Sequence, residues 1–407
     1  LADIEKETMK AGMVRPASFL IIGLLLASCT ALRHPYTCTD PLGCVEIGQG
    51  DSFVIGNLAA TSGDYSSIGI DARRGVQLAI LDQGNLMGHH IYLLNEETDC
   101  SEEGVRSAAT DLILNSKLLA VIGPTCTGEM SAAGEILTEA GILAISPSSM
   151  RWGAGLQVAP VFSTPETDLS AGFAIRQLGA KQAVIVGDAP ESHQADEILQ
   201  QIFTLQGGGA RVLQIPPGSL EFQSQLADLR LNPPDVLFLH LPPTQADLFM
   251  AQFRSTPGLE TMKIIGWENL IGPEFLQNAG QAAAGMYMVG PAQSVFGGPY
   301  PGFALRYETA FGEKPIAISD LYSYMVAQLI FHAIQTAAVR TAGGVLFIPR
   351  SALQKAIQTP GGYPSLFGVI ACAGTGGCST IQPAIYQIGS REELSWYPGE
   401  NTGQVYP

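Results

Sequence analysis

Three short stretches of this chain carry side chains able to grip a small charged molecule. Residues 119–130, LAVIGPTCTGEM, run an apolar strand into a turn rich in Gly, Thr and Cys, and the turn opens a helix through Ala132, Ala133 and Ile136. Unpaired N–H groups and the positive dipole end at a helix N-terminus favour an anion such as a carboxylate. The hydroxyls of Thr125 and Thr127 can donate to the same oxygens, although Thr127 taken alone would serve equally as the helix N-cap. A second hydroxyl cluster, Ser146, Ser148 and Ser149 around Pro147, follows the next apolar run. By itself such a cluster is a turn. The third stretch, KIIGWEN at 263–269, ends in Glu268, whose carboxylate could neutralise an ammonium group; an isolated Glu is more often a solvated loop residue. A grip for an anion and a grip for a cation together suit an amino acid.

These groups act together only if the fold brings them to one place. From residue 51 onward, short apolar runs alternate with amphipathic stretches of helical length, the pattern of an α/β protein with parallel sheets. Strands are expected at 53–56, 91–94, 119–122, 143–145 and 161–162, with a helix over 69–81 between the first two. After Pro165 the cycle begins again: strands at 183–186, 210–213, 236–239, 263–265 and 286–289 alternate with helices such as 194–205 and 245–253. Two cycles predict two doubly wound parallel-sheet lobes. Helices over 302–311 and 319–338 have no matching strands, so they belong on the first lobe's sheet, and the apolar run 384–388 returns to the second lobe as an edge strand. The resulting division is lobe one at 51–163 plus 294–375 and lobe two at 164–293 plus 376–407, joined by a multi-strand hinge. Ligands of open parallel sheets bind beyond the carboxyl ends of strands, where all three stretches fall.

The bulk numbers agree with a folded binding protein. With 407 residues, 46% apolar and 14% charged, the chain has material for more than one core. A net charge of −16 opposes any nucleic-acid partner, because phosphate contacts need clustered Lys and Arg. Residues 1–28 read as a signal peptide, with Lys10 and Arg15 ahead of the apolar run 19–27. The sequence LASC at 26–29 resembles a lipobox, so Cys29 is expected to carry a lipid anchor, with 29–50 as an N-terminal linker. Six further cysteines suit disulfides in an exported protein. Several connectivities are open to them; clustering favours Cys38 with Cys44, Cys100 with Cys126, and Cys372 with Cys378. With no C-x-x-C pair and six scattered His, neither a metal nor a cofactor is expected.

Taken in order, ATSG at 60–63 with Gly69 and Gly75, TDC at 98–100, VIGP at 121–124 with Cys126, ISP at 145–147, IGWE at 265–268 and AIY at 384–386 resemble the type I periplasmic binding proteins. The resemblance is to the leucine/isoleucine/valine-binding family of ABC transporters, and it covers nearly the whole chain after the signal segment. It implies a Cys100–Cys126 disulfide, a carboxylate held by Thr127 with the 146–149 turn, and an amine held at Glu268. The chain departs from the pattern as well. Where the family places aromatic ligand contacts, it has Ile68, Ser192 or His193, and Pro242 or Pro243; Tyr65 could supply a replacement ring or be a surface turn residue.

The expected function is binding and delivery without chemistry. Ligand bridging both lobes would stabilise a closed form that an ABC permease recognises, the protein working as a lipid-anchored extracytoplasmic monomer. A sensory ligand-binding protein of the same fold is the alternative. A cofactor-free hydrolase is a distant third, since the chain has no G-x-S-x-G, H-E-x-x-H or Walker-type loop.

Overall fold

The computed structural model describes residues 36–126, 128–148, 165–188, 193–358, 360–372, 378–379, 381–389 and 402–406. The signal segment, Cys29 and the expected strand at 161–162 lie outside them. The stretch expected as linker instead carries a strand, Cys44–Ile47 (β1), closed off from its start by the Cys38–Cys44 disulfide. Its alternate residues Val45 and Ile47 are buried, which is why the segment docks rather than dangles.

Lobe one is built on Phe53–Ala60 (β2), Ile91–Thr98 (β3), Leu118–Ile122 (β4) and Leu143–Ile145 (β5), a parallel sheet of order β3-β2-β4-β5. Helices Ser66–Gln83 (α1), Glu102–Ile113 (α2) and Met130–Glu139 (α3) connect these strands. Strand β2 is buried at every position because helices cover both faces of the sheet. Phe53 and Ile55 join a core containing Val76 and Ala79 of α1, while Val54 and Leu58 join another with Val105, Ala109 and Leu112 of α2. Helix α2 starts where Ser101 accepts the Gly104 N–H at 3.0 Å, with Glu102 and Glu103 in its first turn.

Lobe two follows helix Pro165–Arg176 (α4). Strands Gln182–Asp188 (β6), Gly209–Ile215 (β7), Val236–His240 (β8), Lys263–Gly266 (β9) and Tyr287–Pro291 (β10) pair in parallel in the order β10-β9-β8-β6-β7. Helices His193–Leu205 (α5), Gln223–Leu231 (α6), Pro243–Arg254 (α7) and Pro273–Ala279 (α8) lie between them. A short helix, Gln293–Phe296 (α9), then leads the chain back to lobe one.

There Tyr300–Phe311 (α10) and Ser319–Ala337 (α11) pack on α1, as their lack of matching strands predicts. Glycine permits the closeness: a Cβ on Gly75 of α1 would stand 2.0 Å from the Asp320 carbonyl oxygen of α11. The buried Asp71 carboxylate fastens the same junction. It accepts the Tyr307 hydroxyl at 2.6 Å and the Ala317 N–H at 3.1 Å, and desolvation pushes its carboxyl up to about 6.

Short strands Val339–Arg340 (β11) and Leu346–Pro349 (β12) pair with each other, and β12 also pairs with β1. Helix Arg350–Ala356 (α12) and a small sheet of Tyr363–Ser365 (β13), Gly368–Cys372 (β14) and Cys378–Ser379 (β15) follow, the last two strands joined by Cys372–Cys378. Strand Pro383–Ile388 (β16) then runs antiparallel to β10. It is not the edge strand expected, because Thr402–Tyr406 (β17) pairs along its other side. The final residues carry too little apolar patterning to announce that strand.

Candidate functional site

The carboxyl ends of the two sheets supply the polar groups. In lobe one, β4 runs out at Ile122 into the turn containing Thr125 and Cys126, and β5 runs out at Ile145 into Ser146 and Ser148. Disulfide Cys100–Cys126 ties the loop after β3 to the turn after β4, spanning the end of β2 between them. The hydroxyls lock the turns to one another. Thr125 Oγ1 accepts the Ala60 N–H at 2.9 Å; Ser146 Oγ donates to the Pro124 carbonyl at 2.9 Å, and Ser148 Oγ donates to the Thr125 carbonyl. A hydroxyl has one proton to donate, so in this arrangement Ser146 and Ser148 brace the turn with it. Thr127 and Ser149 lie outside the described residues.

Lobe two contributes acids. Strand β6 ends on Asp188 and β8 ends on His240, while β9 leads directly into Trp267 and Glu268. His240 Nδ1 lies 2.9 Å from the buried Asp196 carboxylate, and its ring stacks on Trp267 at a centroid distance of 5.4 Å.

Two tyrosines of lobe one reach these acids across the gap. Tyr65, in the turn before α1, donates its hydroxyl to the Asp188 carboxylate, 3.1 Å from each oxygen. Tyr322, in the first turn of α11, donates to Glu268 Oε2 at 3.2 Å. Glu268 is therefore a desolvated acid facing the other lobe rather than a solvated loop acid, and the Tyr65 hydroxyl reaches across to lobe two. Of the positions where the resembled pattern has aromatics, Pro242 and Pro243 form the start of α7, Ile68 uses its carbonyl to accept the Ser319 hydroxyl at 3.0 Å, and Ser192 lies outside the described residues.

Burial controls the charge of these carboxyls. Desolvation, with the Glu166 charge of α4 nearby, pushes Glu268 up to about 8, against a small opposing pull from the Tyr322 hydrogen bond. Asp188, only 3% exposed, is raised by desolvation to about 6; His240 and the Tyr65 hydrogen bond pull it down, and Asp196 pushes it up. Burial disfavours the charged form of both carboxyls, so a positive charge beside either would favour it. The arrangement can therefore accept a positively charged group.

Asp188, His240, Glu166 and Tyr322 escape the sequence reading, though not for the same reason. Asp188 and His240 end β6 and β8 at the carboxyl edge, so the strand-end rule that finds Glu268 would have found them had those strands been read to their ends. Tyr322 carries no local sign, since its place depends on α11 folding back onto α1. Among the described residues, no group of three or more His, Cys, Asp or Glu is placed to hold a metal ion.

Comparison with known proteins agrees with this architecture. Residues 52–384 match the family described as periplasmic binding protein. An amino acid binding protein of Pseudomonas aeruginosa is 30% identical over 138 residues, 33% of this chain; the match spans only 34% of that relative's own length. A leucine-binding protein from Thermotoga maritima superposes with a TM-score of 0.70 at 19% identity, covering 83% of this chain and 95% of that one. A branched-chain amino acid transporter substrate-binding protein from Streptococcus pneumoniae, in complex with isoleucine, gives 0.69 at 20% identity, covering 88% and 100%. An ABC transporter solute-binding protein from R. palustris, in complex with benzoate, gives 0.70 at 20% identity, covering 87% and 96%. With two parallel-sheet lobes meeting at their strand ends and the family match running through both, the chain belongs to the periplasmic binding proteins, a family that binds solutes rather than transforming them.

Proposed function

We propose that this protein is the extracytoplasmic binding component of an ABC transporter, and that it closes its lobes around an amino acid or a related small solute bearing a protonated amine. The observation that carries the reading is Glu268, a desolvated acid of lobe two that faces Tyr322 of lobe one. An ammonium group placed there restores the charge that burial removes. The ligand's carboxylate would lie at the other wall, against the N–H groups of the 125–130 turn, with Thr125, Thr127 and Ser149 beside it. Ser146 and Ser148 hold that turn in shape.

Both kinds of ligand named for the structural neighbours, branched-chain amino acids and benzoate, carry a carboxylate. Benzoate has no cation to meet the ionised form of these acids. The acids of this cleft therefore favour the amino acid. On this reading Cys29 bears the lipid anchor, the 1–28 segment is removed, lobe one comprises 51–163 with 294–375 and lobe two 164–293 with 376–407, and a monomer delivers its solute to a permease.

A thermal-shift screen of amino acids, short peptides, amides and organic acids tests the ligand class. Stabilisation by an amino acid, absent in Glu268→Ala, is the expected result. Stabilisation by amine-free acids alone would remove the reading.

A further inference from the structure

We propose that a cavity at the amino ends of β9 and β10, at the far end of the lobe-two sheet from the strand ends that carry Glu268 and Asp188, is a second binding site, and that it takes the phosphate group of a small phosphorylated solute through Arg254 and Lys263.

The cavity measures about 650 Å³, within the usual range for small-molecule sites. Lys263 opens β9, Tyr287 opens β10, and Gln387 pairs with Tyr287 from the antiparallel β16, so the sheet brings these three to one wall. Arg254 comes from the last turn of α7, where the free carbonyls of a helix end favour a cation. Glu268 follows the opposite end of β9, so the length of that strand separates the two sites.

Arg254 is held in place by backbone. Its Nε donates to the Ala282 carbonyl at 3.2 Å, and its Nη1 donates to the carbonyls of Glu260 at 2.8 Å and Met262 at 3.1 Å. Those bonds fix the guanidinium and occupy Nε and Nη1, while the two N–H groups of Nη2 meet no acceptor among the described residues. Burial pulls its pKa below the ordinary Arg value, and no described carboxylate stands within ion-pair distance to offset the lost hydration.

The charges around the cavity leave a net positive balance. Lys263 is exposed, and its ammonium has the Leu178 carbonyl at 3.4 Å. Asp235 feels that charge without pairing with it, one carboxylate oxygen accepting the N–H groups of Lys181 and Gln182. Glu260, the acid of the lining, pairs with neither cation; its carboxylate accepts the Gly258 N–H at 2.8 Å. Two cations with free donors match a doubly charged group carrying several oxygens, which is a phosphate. A single carboxylate would leave one of the charges unmet.

Calorimetry of the full chain with phenyl phosphate at low salt tests the site, with phenol as the uncharged control. Saturable binding of phenyl phosphate and none of phenol is expected, weakened at least about tenfold in Lys263→Gln. Ala251→Trp adds a ring to the cavity wall from an exposed helix position, keeps every hydrogen bond of Arg254, and should abolish binding while the protein melts like the wild type. Absence of saturable binding, equal binding of phenol, or unchanged affinity in both variants would overturn the proposal. Sedimentation with phosphatidylcholine vesicles containing phosphatidylglycerol separates a free solute from a lipid headgroup: vesicle binding that Lys263→Gln abolishes, without binding of phenyl phosphate, would overturn the assignment to a solute. None of these results depends on the amino-acid reading of the other end of the sheet.

Discussion

Tyr322 and Glu268 stand in different lobes, 54 residues apart, and the hydroxyl of one donates to the carboxylate of the other at 3.2 Å. A helix returning from lobe two places the tyrosine, and the end of a lobe-two strand places the acid. The contact makes Glu268 sensitive to whether the lobes are together and to whether a cation lies between them.

Replacing the acid should therefore abolish binding without unfolding the protein. Glu268→Ala should cost an amine ligand about 2–5 kcal/mol of affinity, the usual loss when one member of a buried charged pair is removed. Isothermal calorimetry measures it. Unaltered affinity in a variant that melts like the wild type would show that the amine lies elsewhere.

Protons and ammonium should compete for the same carboxyl. Because burial lifts Glu268 to about 8, the ionised form that an ammonium needs is lost as pH falls below that value. Affinity for an amine ligand should drop by up to about tenfold per pH unit from pH 8 toward pH 6. Dissociation constants at several pH values give the slope; Glu268→Gln should flatten whatever binding survives.

The opposite wall makes a separate prediction. Thr127→Val should weaken a carboxylate ligand more than its neutral amide, since the lost hydroxyl is a donor to the anion. Equal losses for acid and amide in parallel titrations would remove Thr127 from the site.

One stability prediction concerns the frame rather than the cleft. Gly75→Val places a side chain where the Asp320 carbonyl oxygen would stand 2.0 Å from its Cβ, so α1 and α11 must separate. A loss of about 1–3 kcal/mol or more is expected from such overpacking, seen as a lower midpoint in denaturant. Tyr322 rides on α11, so surviving protein should also bind more weakly.

Much of this frame is legible in the sequence because buried parallel strands are continuous apolar runs. The runs at 53–56, 143–145 and 236–239 declare themselves in that way, although β2 continues to Ala60, and Glu268 follows from the end of such a run. What the sequence hides is non-local. No pattern near Tyr65 or Tyr322 records that each meets an acid of the other lobe, and no pattern near Ser146 records that its proton goes to the Pro124 carbonyl. Those partners lie 123, 54 and 22 residues away, and only the completed fold brings them into contact. Strand β1 was hidden differently, its alternating Val45 and Ile47 being too brief a pattern to separate from a linker.

The amine requirement is tested most directly by calorimetry at pH 8 with an amino acid that the screen selects and with the same molecule lacking its amine. Saturable binding of the amino acid, with none detectable for the amine-free acid, is the predicted result. Equal binding of the two, or binding of the amine-free acid alone, would contradict the assignment of Glu268 as the cation's partner.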